Sequence, residues 1–167
     1  KNNWNIEGTC KSLSTEKKQL KEKIARHSIE IPDPKKNNNG YRHPQRTLKR
    51  SVVLCGSGLH SGIKTGLILQ PMPPESGIIF GDISSGKTVP ARLENVLSTD
   101  YATRLQKGQA SVGTIEHIMA VLHMYRITNL LIKIGDEAPV MDGSAKDFCD
   151  LIEDGEFEDQ DGFYDEI

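Results

Sequence analysis

One stretch constrains this chain before any other: Ile31-Pro32-Asp33-Pro34-Lys35-Lys36-Asn37-Asn38-Asn39-Gly40. Each proline removes a backbone donor and fixes its own φ, and the residue before it is pushed out of the helical region. An asparagine run ending in glycine favours turns. Neither a helix nor a paired strand crosses such a segment, so the 167 residues divide there. The charge divides with them. Residues 1–50 hold 13 of the 21 basic residues and 5 of the 23 acidic ones, a net +8. The remainder, with 8 basic and 18 acidic residues, stands at −10. Opposed halves of this kind suggest modules with different partners. The expected organisation is a short all-α segment at 1–31, a linker at 32–45, a folded domain at 46–157 and an acidic tail at 158–167.

Hydrophobic residues make up 36% of the chain, enough for a core over much of its length but not all of it. No apolar run reaches the roughly 20 residues of a membrane helix, and no secretory signal pattern opens the chain. Cys10, Cys55 and Cys149 are far apart, odd in number and without a CxxC pair. They read as reduced thiols, which points to a cytoplasmic setting. The chain begins with Lys1 rather than Met, so it is expected to be part of a longer product.

In the 46–157 region, Thr47–Leu54 reads as a strand and Gly56-Ser57-Gly58-Leu59-His60-Ser61-Gly62 as a turn. Ile63–Gln70 reads as a second strand and Ile78-Ile79-Phe80 as a short buried one. Short strands and polar turns fill 88–111. Thr114–Tyr125 is a helix, with Thr114 as its cap and Ile115, Ile118, Met119 and Leu122 as the core stripe. Asn129–Ile134 is a strand. Ser144 is expected to cap a last helix, with Asp147 closing a capping box and Phe148, Leu151 and Ile152 facing inward. Past Ile152 the chain is acidic and turn-prone and is expected to fray. The sum is an α+β fold, a layered sheet with two helices on one face.

The helix stripe leaves one pair free. Residues follow each other about 100° apart on a helix, so Glu116 and His117 stand off the apolar face, beside the small Ala120. They fall in the first turn, where the dipole favours an ionised carboxylate. A neighbouring carboxylate and imidazole suit metal-assisted hydrolysis: the imidazole ligates Zn²⁺, and the carboxylate takes a proton from a water whose pKa the metal lowers to about 7. By spacing alone the same pair reads as an ordinary polar surface, and a catalytic zinc wants about three protein ligands. His60 lies in a glycine-flanked turn that lets backbone approach a ligand closely. His123 is two turns further along the helix, too far to share a metal with His117.

Several stretches together resemble one family, the UDP-3-O-acyl-N-acetylglucosamine deacetylases. They are Gln45-Arg46-Thr47-Leu48-Lys49-Arg50 leading into Gly56–Gly62, then Thr114-Ile115-Glu116-His117-Ile118-Met119-Ala120-Val121-Leu122, then Thr128-Asn129-Leu130, then Glu137-Ala138-Pro139-Val140-Met141-Asp142-Gly143-Ser144-Ala145. Their order and spacing match the family's first domain from 45 to about 157. The resemblance implies a bacterial zinc-dependent hydrolase that removes an acetyl group from a UDP-sugar lipid, committing it to lipid A and lipopolysaccharide. It implies two similar α+β domains facing each other across a cleft. It makes Glu116 the general base and His117 a zinc ligand. It places His60 near the cleft, and Thr103 and Leu105 where the family contacts substrate. Those two read equally as a turn and a core residue, and Asp142-Gly143-Ser144 reads as a structural turn. The family's other zinc ligands, a His and an Asp, lie in a second domain beyond the reach of this chain. Tight zinc binding and turnover by the chain alone are therefore not expected.

Residues 1–31 are similar to the Fis-like helix-turn-helix of bacterial regulators through Asn3-Trp4-Asn5, Thr9–Ser14 and Lys17–Ile24. Here Ser14 replaces the turn glycine. Such motifs act as dimers, with basic residues on DNA phosphates. Lys17, Lys18, Lys21 and Lys23 would serve, and they read equally as a solvated helix face. This leaves an alternative to the enzyme: a non-catalytic regulatory module joined to a DNA-binding segment.

Overall fold

The computed structural model describes residues 42–165. The chain divides into two compact units, one comprising 1–43 with 164–167 and the other Pro44–Phe163. The second holds both described helices and the three- and five-stranded sheets. The expected N-terminal helical segment, the expected linker as far as residue 41, and Lys17, Lys18, Lys21 and Lys23, expected to meet DNA, lie outside the described residues.

The centre is a five-stranded sheet. Strand β2 (Val52–Ser57) pairs antiparallel with β3 (Lys64–Pro71), and β3 with β9 (Leu130–Ile134). Strand β9 runs parallel to β4 (Ile78–Asp82), which pairs antiparallel with β5 (Thr88–Pro90). One rung crosses all five strands in register: Val52, Leu69, Ile132, Phe80 and Val89. Residues opposite one another point to the same face, and all five are buried. On the other face of β2, Val53 is 61% exposed. The sheet thus has one oily face and one wet face, and the helices cover the oily one.

The helices are α1 (Glu116–Met124), burying Ile118, Val121 and Leu122, and α2 (Lys146–Gly155), burying Phe148, Leu151 and Ile152. A second sheet of β6 (Val96–Ser98), β7 (Arg104–Lys107) and β8 (Ala110–Val112) contributes Leu105, Ala110 and Val112 to the core. This is the expected α+β layering. Among the described residues no helix is long and apolar enough to cross a membrane.

Local expectations shift in three places. The strand read over Thr47–Leu54 is two strands. β1 (Arg42–Leu48) ends where the Lys49 and Arg50 amides donate to the Gly155 carbonyl, at 3.2 and 3.3 Å, and β2 starts afresh at Val52. Thr114 does not cap α1: Ile115 holds the N-cap position and Thr114 stands at φ 58° with its hydroxyl committed elsewhere. Ala145 rather than Ser144 is the N-cap of α2, without a capping box, although the Ser144 hydroxyl still accepts the Lys146 amide at 3.2 Å.

The expectation that the chain frays after Ile152 is corrected. Helix α2 runs to Gly155, and Phe157–Asp165 forms β10, paired with β1 in a two-stranded sheet. The acidic residues meet the basic stretch at its other end: Arg46 pairs with Asp159 at 2.7 Å, Lys49 with Glu156 at 3.0 Å and Arg50 with Asp154 at 3.2 Å. Phe157 stacks on Tyr125 at 5.3 Å, with the Arg46 guanidinium 5.5 Å from its ring centre. Beneath this lies Asn129, whose side-chain amide donates to Gln45 and Gln160, each at 2.8 Å, and accepts the Gly77 amide at 2.9 Å. A buried amide must find partners, and this one finds them in three separate segments.

Candidate active site

The approach to α1 is bent and tightly tied. The Gly113 amide donates to the Asp136 carbonyl at 2.9 Å, and the Ala138 amide to the Gly113 carbonyl at 3.0 Å. This parallel bridge lays residues 113–114 along 136–138. Arg104 closes the other side, bonded to Asp136 at 2.9 Å and to the Ser111 hydroxyl at 3.0 Å. A β-branched residue at positive φ costs of order 1–3 kcal/mol and persists only where its surroundings over-determine it. At Thr114 they do, because its hydroxyl donates to Glu137 Oε1 at 3.1 Å.

Directly after this bend come Glu116 and His117, in the first turn of α1. The Thr103 amide donates to Glu116 Oε1. Partial burial pushes the Glu116 carboxyl upward. The Thr103 amide, the Glu116 backbone and the Thr103 hydroxyl outweigh it and hold the group below the ordinary carboxylate range. At neutral pH it is an anion. His117 is half-buried, and its Nδ1 is enclosed with no hydrogen-bond partner among the described residues. The side chains thus offer a proton acceptor beside an imidazole not committed through that nitrogen. An imidazole suits zinc among several transition metals. Among the described residues no three His, Cys, Asp or Glu converge, whereas a catalytic zinc takes about three protein ligands. The residues fit one arm of a zinc site and not the whole of it.

The other expected residues fall in varied places. Thr103 is brought to Glu116, through its backbone amide and its hydroxyl. Leu105 is 2% exposed and packed in register with Val96 and Val112, which is a core position. His60 is exposed at the tip of the Gly58–Gly62 turn. Its amide donates to Glu137 Oε1 at 2.9 Å, and the next amide, of Ser61, to Glu137 Oε2 at 3.0 Å.

Glu137 is the residue that sequence reasoning passed over. It is 6% exposed and joins both site segments, yet it was no more than a letter in the Glu137–Ala145 stretch. Burial pushes its carboxyl up. The His60 amide, the Ser61 hydroxyl and amide and the Thr114 hydroxyl more than reverse this, bringing it down to about 2. Its one available signal was the acidic pair Asp136-Glu137 directly after Ile134-Gly135, where an apolar strand ends. A groove of about 200 Å³ runs past it, lined by Ser61, Ile63, Lys64 and Asp136 among others. A larger one, about 520 Å³, lies along Cys55–Ser57 and Lys64–Gly66. Glu116 and His117 line neither.

The fold and site together define an α+β domain that displays an ionised carboxylate and an imidazole at one helix start. The description UDP-3-O-acyl N-acetylglycosamine deacetylase matches residues 45–165, and the chain belongs to that family. It is similar to UDP-3-O-acyl-N-acetylglucosamine deacetylases of Helicobacter hepaticus, 41% identical over 110 residues covering 65% of this chain and 37% of the relative. That of Myxococcus xanthus is 45% identical over 112 residues, covering 65% and 36%. That of Teredinibacter turnerae is 40% identical over 119, covering 70% and 39%. The chain thus spans a little over a third of the length of the relatives it matches.

Proposed function

We propose that this domain supplies the proton-accepting half of a zinc-dependent deacetylase that hydrolyses the acetamide of a UDP-3-O-acyl-N-acetylglucosamine, on the route to lipid A. The observation that carries the reading is Glu116: an anionic carboxylate, pinned by the Thr103 amide, beside an imidazole with an uncommitted nitrogen. Zinc, when bound, supplies the positive charge that makes a water acidic near neutral pH. Glu116 accepts the proton of the attacking water, and in this role it later returns a proton to the leaving amine. His117 would be one of the zinc's ligands. His60, on its exposed turn, is proposed to face substrate, and so is the Thr103 side chain; Leu105, being core, is not carried further. Among the described residues no further ligands converge on His117, so zinc binding by residues 1–167 alone is weak. A cytoplasmic setting is proposed from the free thiols of Cys55 and Cys149.

The test joins the chain to the remaining length of a family enzyme and measures acetate release. Glu116→Ala is expected to lower kcat by about 10²–10⁴-fold, the usual contribution of a positioned acid or base. Near-normal turnover would end the assignment. The regulatory alternative, with DNA and a dimer as partners, gains nothing from the described residues, since Lys17, Lys18, Lys21 and Lys23 lie outside them.

A further inference from the structure

We propose that Glu137 is a positioning residue of this site: its carboxylate clamps the His60-bearing turn to the segment that delivers Glu116 and His117.

Four contacts support the clamp. Oε1 accepts the His60 amide at 2.9 Å and the Thr114 hydroxyl at 3.1 Å, while Oε2 accepts the Ser61 amide at 3.0 Å. The fourth is backbone: Glu137 bridges Gly113 in parallel register, so the acid is fixed at its base as well as its tip. Two consecutive amides on two oxygens of one carboxylate form a fork that a neutral side chain does not reproduce, because charge-assisted bonds are about twice as strong as neutral ones. The turn is shaped to admit it. A Cβ at Gly58 would stand 2.3 Å from Glu137 Oε2 and 2.8 Å from its Cδ, so only glycine leaves the carboxylate room. The turn also closes on itself, Gly58 amide to Ile63 carbonyl at 3.0 Å and Gly62 amide to Gly58 carbonyl at 3.1 Å. It therefore moves as one piece, and the piece is held by Glu137. The other end of the clamp, Thr114, lies two residues before Glu116.

What the clamp positions matters to catalysis only under the deacetylase reading above, but the clamp itself is measured without turnover. The experiment is amide hydrogen exchange followed by NMR on the full 167-residue chain. In the wild type the His60 and Ser61 amides are expected to exchange at least about tenfold more slowly than unprotected turn amides. Glu137→Ala removes that protection at both, while Ile132 in the central strand keeps its own to within a few-fold. The cross-peaks of Ile115–His117 shift along with those of His60–Gly62, because one residue holds both. Glu137→Gln, which presents one acceptor and one donor, protects one of the two amides and exposes the other. Thr114→Val moves Ile115–His117 and leaves His60 and Ser61 protected. A residue that merely stabilised the fold would lower protection everywhere by one factor. Free exchange at His60 and Ser61 in the wild type overturns the proposal, as does their survival in Glu137→Ala or a uniform loss across the sheet. Should Glu137→Ala not fold, the wild-type rates and Thr114→Val still decide.

Discussion

At the scale of single residues, the site is governed by two carboxylates held charged in different ways. Glu116 is exposed and steadied by Thr103 and its own backbone; Glu137 is enclosed and held by the amides of His60 and Ser61 and the hydroxyls of Ser61 and Thr114. Since the folded Glu137 titrates at about 2 against an ordinary value of 4.5, it stabilises the fold above pH 4.5. That contribution is lost as pH falls from there toward 2, because protonation then favours the unfolded chain. Acid unfolding followed by circular dichroism is expected to show this loss in the wild type, and a flatter profile between those values in Glu137→Gln. Gly58→Ala tests the same contact from the other side. The added carbon would overlap the carboxylate, and forced overpacking costs about 1–3 kcal/mol, readable in urea denaturation.

At the scale of elements, the joining of β1 to β10 sets two forces against each other. In the ion pairs Arg46–Asp159, Lys49–Glu156 and Arg50–Asp154 every partner but the half-buried Arg46 is largely exposed, and such pairs contribute about 0–1 kcal/mol apiece. Phe157, stacked on Tyr125 under Arg46, removes an aromatic face from water, a contribution of about 1.5–3 kcal/mol when burial is full. Packing should therefore outweigh charge. Stability measured in 0.5 M salt is expected to fall by no more than about 1 kcal/mol, whereas Phe157→Ala is expected to cost about 1–3 kcal/mol. A larger effect of salt than of the substitution would reverse that ranking. The acidic stretch looked unstructured because its partners, Arg46 to Arg50, lie more than a hundred residues earlier and no local pattern announces them.

Over the whole molecule, one rung of the sheet carries the architecture. Ile132 is fully buried at the centre of Val52–Leu69–Ile132–Phe80–Val89. Ile132→Ala is expected to cost about 2–5 kcal/mol, measured by chemical denaturation. Because this domain spans little more than a third of the length of its relatives, calorimetry on the 167-residue chain should find zinc bound weakly. Tight one-to-one binding would mean that further ligands converge on His117.

Several elements are legible along the chain because their signals are local. The stripe of α1, the alternation Leu130–Ile132–Ile134 and the adjacency of Glu116 and His117 are set by neighbours along the chain, and periodicity reveals them. It took the folded chain to show that Thr114 is spent on Glu137 rather than on capping, that Thr103 serves Glu116, that Leu105 belongs to the core, and that residues 157–165 are a strand. Each of these depends on a partner brought from elsewhere by sheet register. Closing such a contact has no periodic signature, because its partner's place is set by the path of the whole chain.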